Sequence, residues 1–226
     1  MCSSDLEEVF NTVFENPKGD TRTDDRNNRR QALRLLKQAG YVVKDGWAID
    51  PETGKPLTIE LILNGPAFEP LSLRYKDTLK RIGVNLKIRV LDSSQYIARL
   101  RNRDFQMIYS GWGQSLSPGN EQFDYFGSAA ADKDSSQNYP GIKNPAVDEL
   151  INKIVFAKDR DELIAASKAL DRVLLWNHYI VPGWALRASR IAHWDKFSHP
   201  EPLPYYAIGF PSIWWYDDAK AAAVAK

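Results

Sequence analysis

The residues best suited to chemistry lie in one stretch, Tyr109-Ser110-Gly111-Trp112-Gly113-Gln114-Ser115-Leu116-Ser117-Pro118-Gly119-Asn120-Glu121-Gln122-Phe123. Gly111 and Gly113 carry no Cβ, so other atoms can come close to their backbone N–H and C=O groups. Trp112 between them offers an aromatic face. Gln114, Ser115 and Asn120 add neutral hydrogen-bonding groups, and Glu121 adds a carboxylate for a charged contact. Together they suit the holding of a polar ligand, and no nucleophile–base pair accompanies them. Taken alone, the stretch reads slightly better as a tight surface loop in which Trp112 caps the core.

Other chemistries find less support. His178, His193 and His199 are spaced by fifteen and six residues, which matches no compact metal motif. Cys2 is the only cysteine, so neither an intrachain disulfide nor a thiolate metal site is available. No metal and no cofactor are expected. Paired carboxylates occur at Asp24/Asp25, Glu121/Asp124, Asp132/Asp134 and Asp217/Asp218, and only Glu121 and Asp124 lie near the loop. Two such acids could support hydrolysis of a glycosidic bond, which keeps a hydrolase as the alternative to a binding protein. Ser115 and Ser117 lack the Gly-x-Ser-x-Gly elbow, and no Gly-x-x-x-x-Gly-Lys phosphate loop is present. A third class, a pure interaction module, would use Trp112 against a protein partner.

The elements around the loop decide where it must lie. After a polar linker over residues 15–25, Ala32, Leu33, Leu35, Leu36 and Ala39 make one helical apolar face that Gly40 ends. The accompanying Arg26, Arg29, Arg30, Arg34 and Lys37 read as a solvated face. Asp45-Gly46 is a hairpin dipeptide between two short strands. A strand from Leu57 to Leu63, a helix over roughly 69–82, and the alternating Val84, Leu86, Ile88 and Val90 follow. Ser93-Ser94 is read as the cap of another helix, and Phe105 to Tyr109 as a third strand. These crossovers are long enough for parallel pairing, which predicts an α/β fold. The loop then leaves the C-terminal end of a sheet strand, where open α/β sheets bind ligands.

Beyond Tyr139–Pro145, helices are expected around Val147–Val155 and over 159–176, the second capped by Asp159. An edge strand is expected over 180–186. From about residue 190, His193, Trp194, Tyr205, Tyr206, Trp214 and Trp215 interleave with prolines in an extended aromatic tail, and a short helix is expected from Ala219.

Length and composition set bounds. At 226 residues, with 43% hydrophobic and 26% charged residues, the chain is an ordinary globular sequence with one substantial core. A net charge of +1 provides no field to attract nucleic acid or an anionic membrane. No run approaches the ~18 apolar residues of a membrane span. Met1-Cys2-Ser3-Ser4-Asp5 lacks the features of a signal peptide, and Val9-Phe10-Asn11-Thr12-Val13-Phe14 reads as mid-domain sequence, so N-terminal truncation is expected.

Several strings resemble one family in their order along the chain. They are Arg30-Gln31-Ala32-Leu33-Arg34-Leu35-Leu36-Lys37-Gln38-Ala39-Gly40-Tyr41, Lys55-Pro56-Leu57-Thr58-Ile59-Glu60-Leu61, Leu79-Lys80-Arg81-Ile82-Gly83-Val84-Asn85-Leu86, Arg103-Asp104-Phe105-Gln106-Met107 and the Gly111-Trp112 loop. The family is that of the extracellular solute-binding proteins of ABC transporters that carry dipeptides, oligopeptides and nickel. The loop, Phe156-Ala157-Lys158-Asp159-Arg160 and Leu174-Leu175-Trp176-Asn177-His178-Tyr179 look closest to its YejA-like oligopeptide branch. The resemblance runs from about residue 6 to 220 and covers only the C-terminal part of longer family members.

It implies part of a periplasmic-binding-protein-like type II fold. Residues 1–189 would be most of the second lobe, and residues 190–226 a segment returning to a first lobe. It implies a monomeric, periplasmic protein that is not an enzyme, with a peptide ligand, a membrane permease as partner and no nucleic acid. The loop would face the inter-lobe cleft, with Gly111, Trp112, Gly113, Gln114, Ser115, Asn120 and Glu121 as ligand-binding residues. Peptide-binding relatives carry an aspartate there for the ligand's amino terminus. The matching position here is Gln114, a neutral amide, so Glu121 or Asp124 would have to substitute, or the cargo would present its charge differently.

Overall fold

The structure, a computed structural model, describes residues 11–115, 117–183, 190–204 and 209–224. The chain divides into two compact units, Met1–Ile180 and Val181–Lys226.

Helix α1 spans Arg22–Gln38 and begins inside the stretch expected to be linker. Thr21 explains this. Its hydroxyl accepts the Asp24 N–H while the Asp24 carboxylate accepts the Thr21 N–H, a reciprocal box that satisfies two N-terminal donors. The expected apolar face is not covered: no α1 residue is buried, and Leu33 and Leu35 are exposed. Strands β1 (Val42–Lys44) and β2 (Trp47–Ile49) form the expected hairpin. Asp45 and Gly46 both have positive φ, as the tight turn matching strand twist requires.

The central sheet has three parallel strands in the order β4-β3-β5, with β3 at Thr58–Asn64, β4 at Asn85–Leu91 and β5 at Met107–Ile108. Helix α2 (Glu69–Lys80) connects β3 to β4, and α3 (Ser93–Arg101) connects β4 to β5. Side chains alternate across the sheet. Leu61, Leu63 and Leu86 pack with Tyr75 and Leu79 of α2, whereas Ile62 and Leu91 pack with Tyr96 and Leu100 of α3. Both faces of β3 are thus covered, which is why Leu61, Ile62 and Leu63 read as a continuous apolar run. Helix α3 is capped by Asp92, whose carboxylate accepts the Gln95 N–H, and Ser93 and Ser94 are its first helical residues. Strand β5 is shorter than expected, pairing only through Leu61↔Met107 and Ile62↔Ile108.

A second core in the same unit is helical. Helices α4 (Glu121–Phe126), α5 (Pro145–Val155) and α6 (Arg160–Trp176) bury Phe126, Ile142, Val147, Ile151, Ile154, Ala166, Leu170, Val173 and Leu174. Asp159 caps α6 as expected, by accepting the Glu162 N–H. Asn144 caps α5 ahead of Pro145 at its first position.

Residues 181–183 form no strand, and the rest of the strand expected over 180–186 falls on residues 184–186, outside the described residues. Cys2, Val9, Phe10, Leu116, Tyr205 and Tyr206 also lie outside them. The C-terminal unit carries more local order than an extended tail. Strands β6 (Phe197–Ser198) and β7 (Trp215–Tyr216) pair antiparallel, and α7 covers Asp218–Val224. His193, His199 and Phe210 surround Trp214 with ring centroids 4.7, 4.7 and 5.1 Å away.

Candidate ligand-binding loop

The loop departs directly from β5. Tyr109, its first residue, still belongs to the α2 side of the sheet, with its ring 5.4 Å from that of Phe68. The chain then crosses to the helical core, and Trp112 makes the connection. Its ring centroid lies 5.3 Å from Phe126 and 5.8 Å from Tyr139, and its indole N–H donates to the Gln137 carbonyl at 3.0 Å. Trp112 therefore packs against the helical core and is only half-buried.

Anchoring Trp112 inward leaves its neighbours outside. Gly111, Gly113, Gln114, Ser115 and Asn120 are all exposed. The Tyr125 hydroxyl donates to the Gly113 carbonyl at 3.2 Å, so one acceptor of the loop is already taken. The Ser115 hydroxyl accepts the Ser117 N–H at 3.1 Å, and Arg160, from the start of α6, donates to the Ser117 hydroxyl at 3.2 Å. A Cβ added at Gly111 or Gly113 would meet nothing within 4 Å. These two glycines are thus not demanded by internal packing, and their open backbone faces solvent.

The far end of the loop is held by a polar chain. Glu121 accepts the Gly119 N–H at 2.8 Å and the Gln122 amide at 3.1 Å. Gln122 is only 2% exposed and donates to the Gln114 carbonyl oxygen at 2.8 Å, while Gln114 donates back at 3.4 Å. Burial is the largest single influence on Glu121 and acts to raise its pKa. The N–H groups of Gly119 and Glu121 and the Gln122 amide together outweigh it and hold the carboxyl below its ordinary value. Asp124 turns elsewhere and accepts the Gln137 N–H at 3.2 Å. Gln137 is thus held twice, by Trp112 through its carbonyl and by Asp124 through its N–H.

Behind the loop, Asn138 donates to the Gly127 and Ile142 carbonyls and accepts the Ile142 N–H, which satisfies a fully buried amide. Arg103, at φ 54°, donates to the carbonyls of Ala130 and Lys133 and to the Ser136 hydroxyl, tying the approach to β5 onto the 128–136 segment. Nothing in the sequence singles out the roles of Gln137 and Arg103, and little singles out that of Gln122. Only Gln122 left a trace there: with Phe126 four residues on, it marks the inward face of α4. Of the histidines, His193 and His199 meet on Trp214, whereas His178 lies 6.0 Å from Phe14. Among the described residues no group of three or more His, Cys, Asp or Glu side chains could hold a metal ion. Nor, among them, is any helix long and apolar enough to cross a membrane.

A parallel sheet covered on both faces, with a glycine-rich polar loop at the end of one strand, is the arrangement of an α/β ligand-binding domain. The fold is part of the periplasmic-binding-protein type. It is similar to the oligopeptide-binding protein AppA of Bacillus subtilis in complex with a nonapeptide, with a TM-score of 0.58 at 23% identity over 66% of this chain and 30% of that one. The sequence profile described as bacterial extracellular solute-binding proteins, family 5 Middle, matches residues 7–134. The chain belongs to that family. It is 48% identical to the protein y4wM of Sinorhizobium fredii, over 94% of this chain and 32% of that one. To the probable peptide-binding protein YejA of Agrobacterium fabrum it is 45% identical, over 92% of this chain and 34% of that one. It therefore spans about a third of the length of the curated relatives it matches.

Proposed function

We propose that the chain forms part of the substrate-binding component of an ABC importer, a periplasmic monomer that captures oligopeptides or modified peptides between two lobes and delivers them to a membrane permease. In this reading residues 1–189 belong to the second lobe and residues 190–226 to a segment returning to the first. The observation supporting it is that Trp112 is anchored inward while Gly111, Gly113, Gln114, Ser115 and Asn120 stay exposed beyond the end of β5. Gly111 and Gly113 meet the cargo backbone, Gln114, Ser115 and Asn120 supply hydrogen bonds, and Glu121 makes a charged contact. Trp112 braces the loop and offers its remaining open edge. AppA is described in complex with a nonapeptide and YejA is named as peptide-binding, and both names favour peptide cargo here.

Binding without turnover fits the carboxylates better than hydrolysis. A hydrolytic pair needs one acid that keeps its proton near neutral pH. Glu121 is displaced in the opposite direction, and Asp124 is engaged with the Gln137 N–H.

Isothermal titration of the two-lobed protein that contains this chain, with tetra-alanine and with longer peptides, tests the proposal. Saturable binding is expected, weakened at least about tenfold by Gly113→Ala, whose Cβ meets no internal neighbour but blocks backbone approach. Turnover of a peptide or glycoside that disappears in the Glu121→Gln/Asp124→Asn double variant would sink it.

A further inference from the structure

We propose that Gln122 is a positioning residue that makes Gln114 a fixed, uncharged donor and acceptor for an interior peptide group of the cargo. This rests on the binding role given to the loop above.

The orientation is set in sequence from Glu121. An ionised carboxylate can only accept hydrogen bonds, so the Gln122 group facing Glu121 Oε1 at 3.1 Å must be its Nε2. A flipped Gln122 would set its carbonyl oxygen against the carboxylate. The same Nε2 reaches Gln114 Oε1 at 2.8 Å, and Gln122 Oε1 accepts from Gln114 Nε2 at 3.4 Å. Each amide therefore dictates the other's orientation, and Glu121 dictates both. Because Gln122 is buried, water cannot replace its partners cheaply, which makes the pair hard to break.

Gln114 is exposed and uses one edge of its amide on Gln122. One N–H and one carbonyl lone pair remain for a ligand. They point to opposite sides of the amide, so they suit a cargo segment that carries both donors and acceptors, as the successive N–H and C=O groups of a peptide do. A terminal ammonium offers donors only and would use the Gln114 carbonyl alone, leaving its N–H to water. The cargo class is thus one that presents an interior or blocked amide at this point, and Gln122 sets that preference without touching cargo.

The test uses the two-lobed protein that contains this chain, with tetra-alanine and its N-acetylated, C-amidated form as probes. The wild type is expected to bind the capped form at least as tightly as the free one. Gln122→Met retains length and loses the pair. It is expected to bind the capped probe about tenfold more weakly, the size of one lost hydrogen bond, with the Gln114 side-chain NH2 signals moving to solvent-exposed shifts. Gln122→Glu guards against a folding defect in the first variant. It should bind poorly at neutral pH, where a second carboxylate faces Glu121. Binding should recover as pH falls and the new acid regains a proton to donate.

Unchanged binding by Gln122→Met, or a wild type that prefers the free ammonium, overturns the inference and leaves the binding role standing. A wild type that binds neither probe overturns the binding role and this inference with it.

Discussion

The indole N–H of Trp112 donates to the carbonyl of Gln137 at 3.0 Å, joining the loop after β5 to a turn twenty-five residues further along the chain. This contact holds the loop against the helical core while the residues on either side of Trp112 face solvent. The tryptophan is thus the brace of the candidate site, and the exposed backbone next to it is the proposed binding surface.

Removing that brace should cost stability in two separable steps. Trp112→Phe retains a ring against Phe126 and Tyr139 but removes one of two donors to the Gln137 carbonyl, which keeps the Tyr139 N–H at 2.8 Å, an expected loss of about 1 kcal/mol. Trp112→Ala also empties the ring site and should lose about 3 kcal/mol. Urea denaturation midpoints at constant m-value measure both.

Gly83 is required by its surroundings. Its φ is +82°, and a Cβ there would sit 2.6 Å from the Ala48 backbone nitrogen, whose N–H donates to the Gly83 carbonyl. Gly83→Ala should destabilise the chain by about 2 kcal/mol or more and loosen the β1–β2 hairpin. Gly54→Ala is the control, because at φ +66° it meets no neighbour and should lose only about 1 kcal/mol. Equal effects from the two substitutions would refute the steric account.

Arg103 joins the approach to β5 to three acceptors on the 128–136 segment. Arg103→Ala removes one donor from each of these acceptors, but the Ala130 carbonyl keeps the Lys133 N–H and the Ser136 hydroxyl, and the Lys133 carbonyl keeps the Ser136 N–H. It should therefore destabilise by about 1–2 kcal/mol, with Arg103→Lys between it and the wild type. Thermal melts of the three proteins, compared at one pH, give the order directly.

The pH dependence of the loop follows from Glu121. Its carboxyl is held below the ordinary 4.5, so its contribution to loop order is fully present above about that pH and is lost as pH falls through the lowered folded value. The Gly119 amide resonance should move over that acid range. In Glu121→Gln the same resonance should stay still, since the replacement cannot titrate. Movement only above pH 5 would contradict the assignment.

Much of the sheet was legible in the sequence because its signals are local. The alternation of Val84, Leu86, Ile88 and Val90, the Asp45-Gly46 dipeptide and the position of Gly40 each act within a few residues. Errors fell where a partner decides the outcome. Thr21 begins α1 early because Asp24 completes its box, and Asp92 displaces Ser93 as a cap because its carboxylate reaches the Gln95 N–H. The apolar face of α1 was correctly periodic, yet periodicity does not say what covers it, and Leu33 and Leu35 stand exposed. In the C-terminal unit, rings written as an extended tail gather on Trp214, a clustering that no spacing rule encodes.

The sequence by itself determined the α/β order, the parallel crossovers and the loop's place at a strand's end, since turn chemistry and hydrophobic period depend on near neighbours. The direction in which each loop side chain faces was decided only in three dimensions. Trp112 could have turned to solvent or to the core, and it was the Gln137 carbonyl with the rings of Phe126 and Tyr139 that drew it inward. Gln122 looked like one more polar residue until burial against Glu121 and Gln114 made its amide the pivot of the loop. Hydrogen bonds between residues far apart in the chain leave no periodic mark, and on such bonds the site depends.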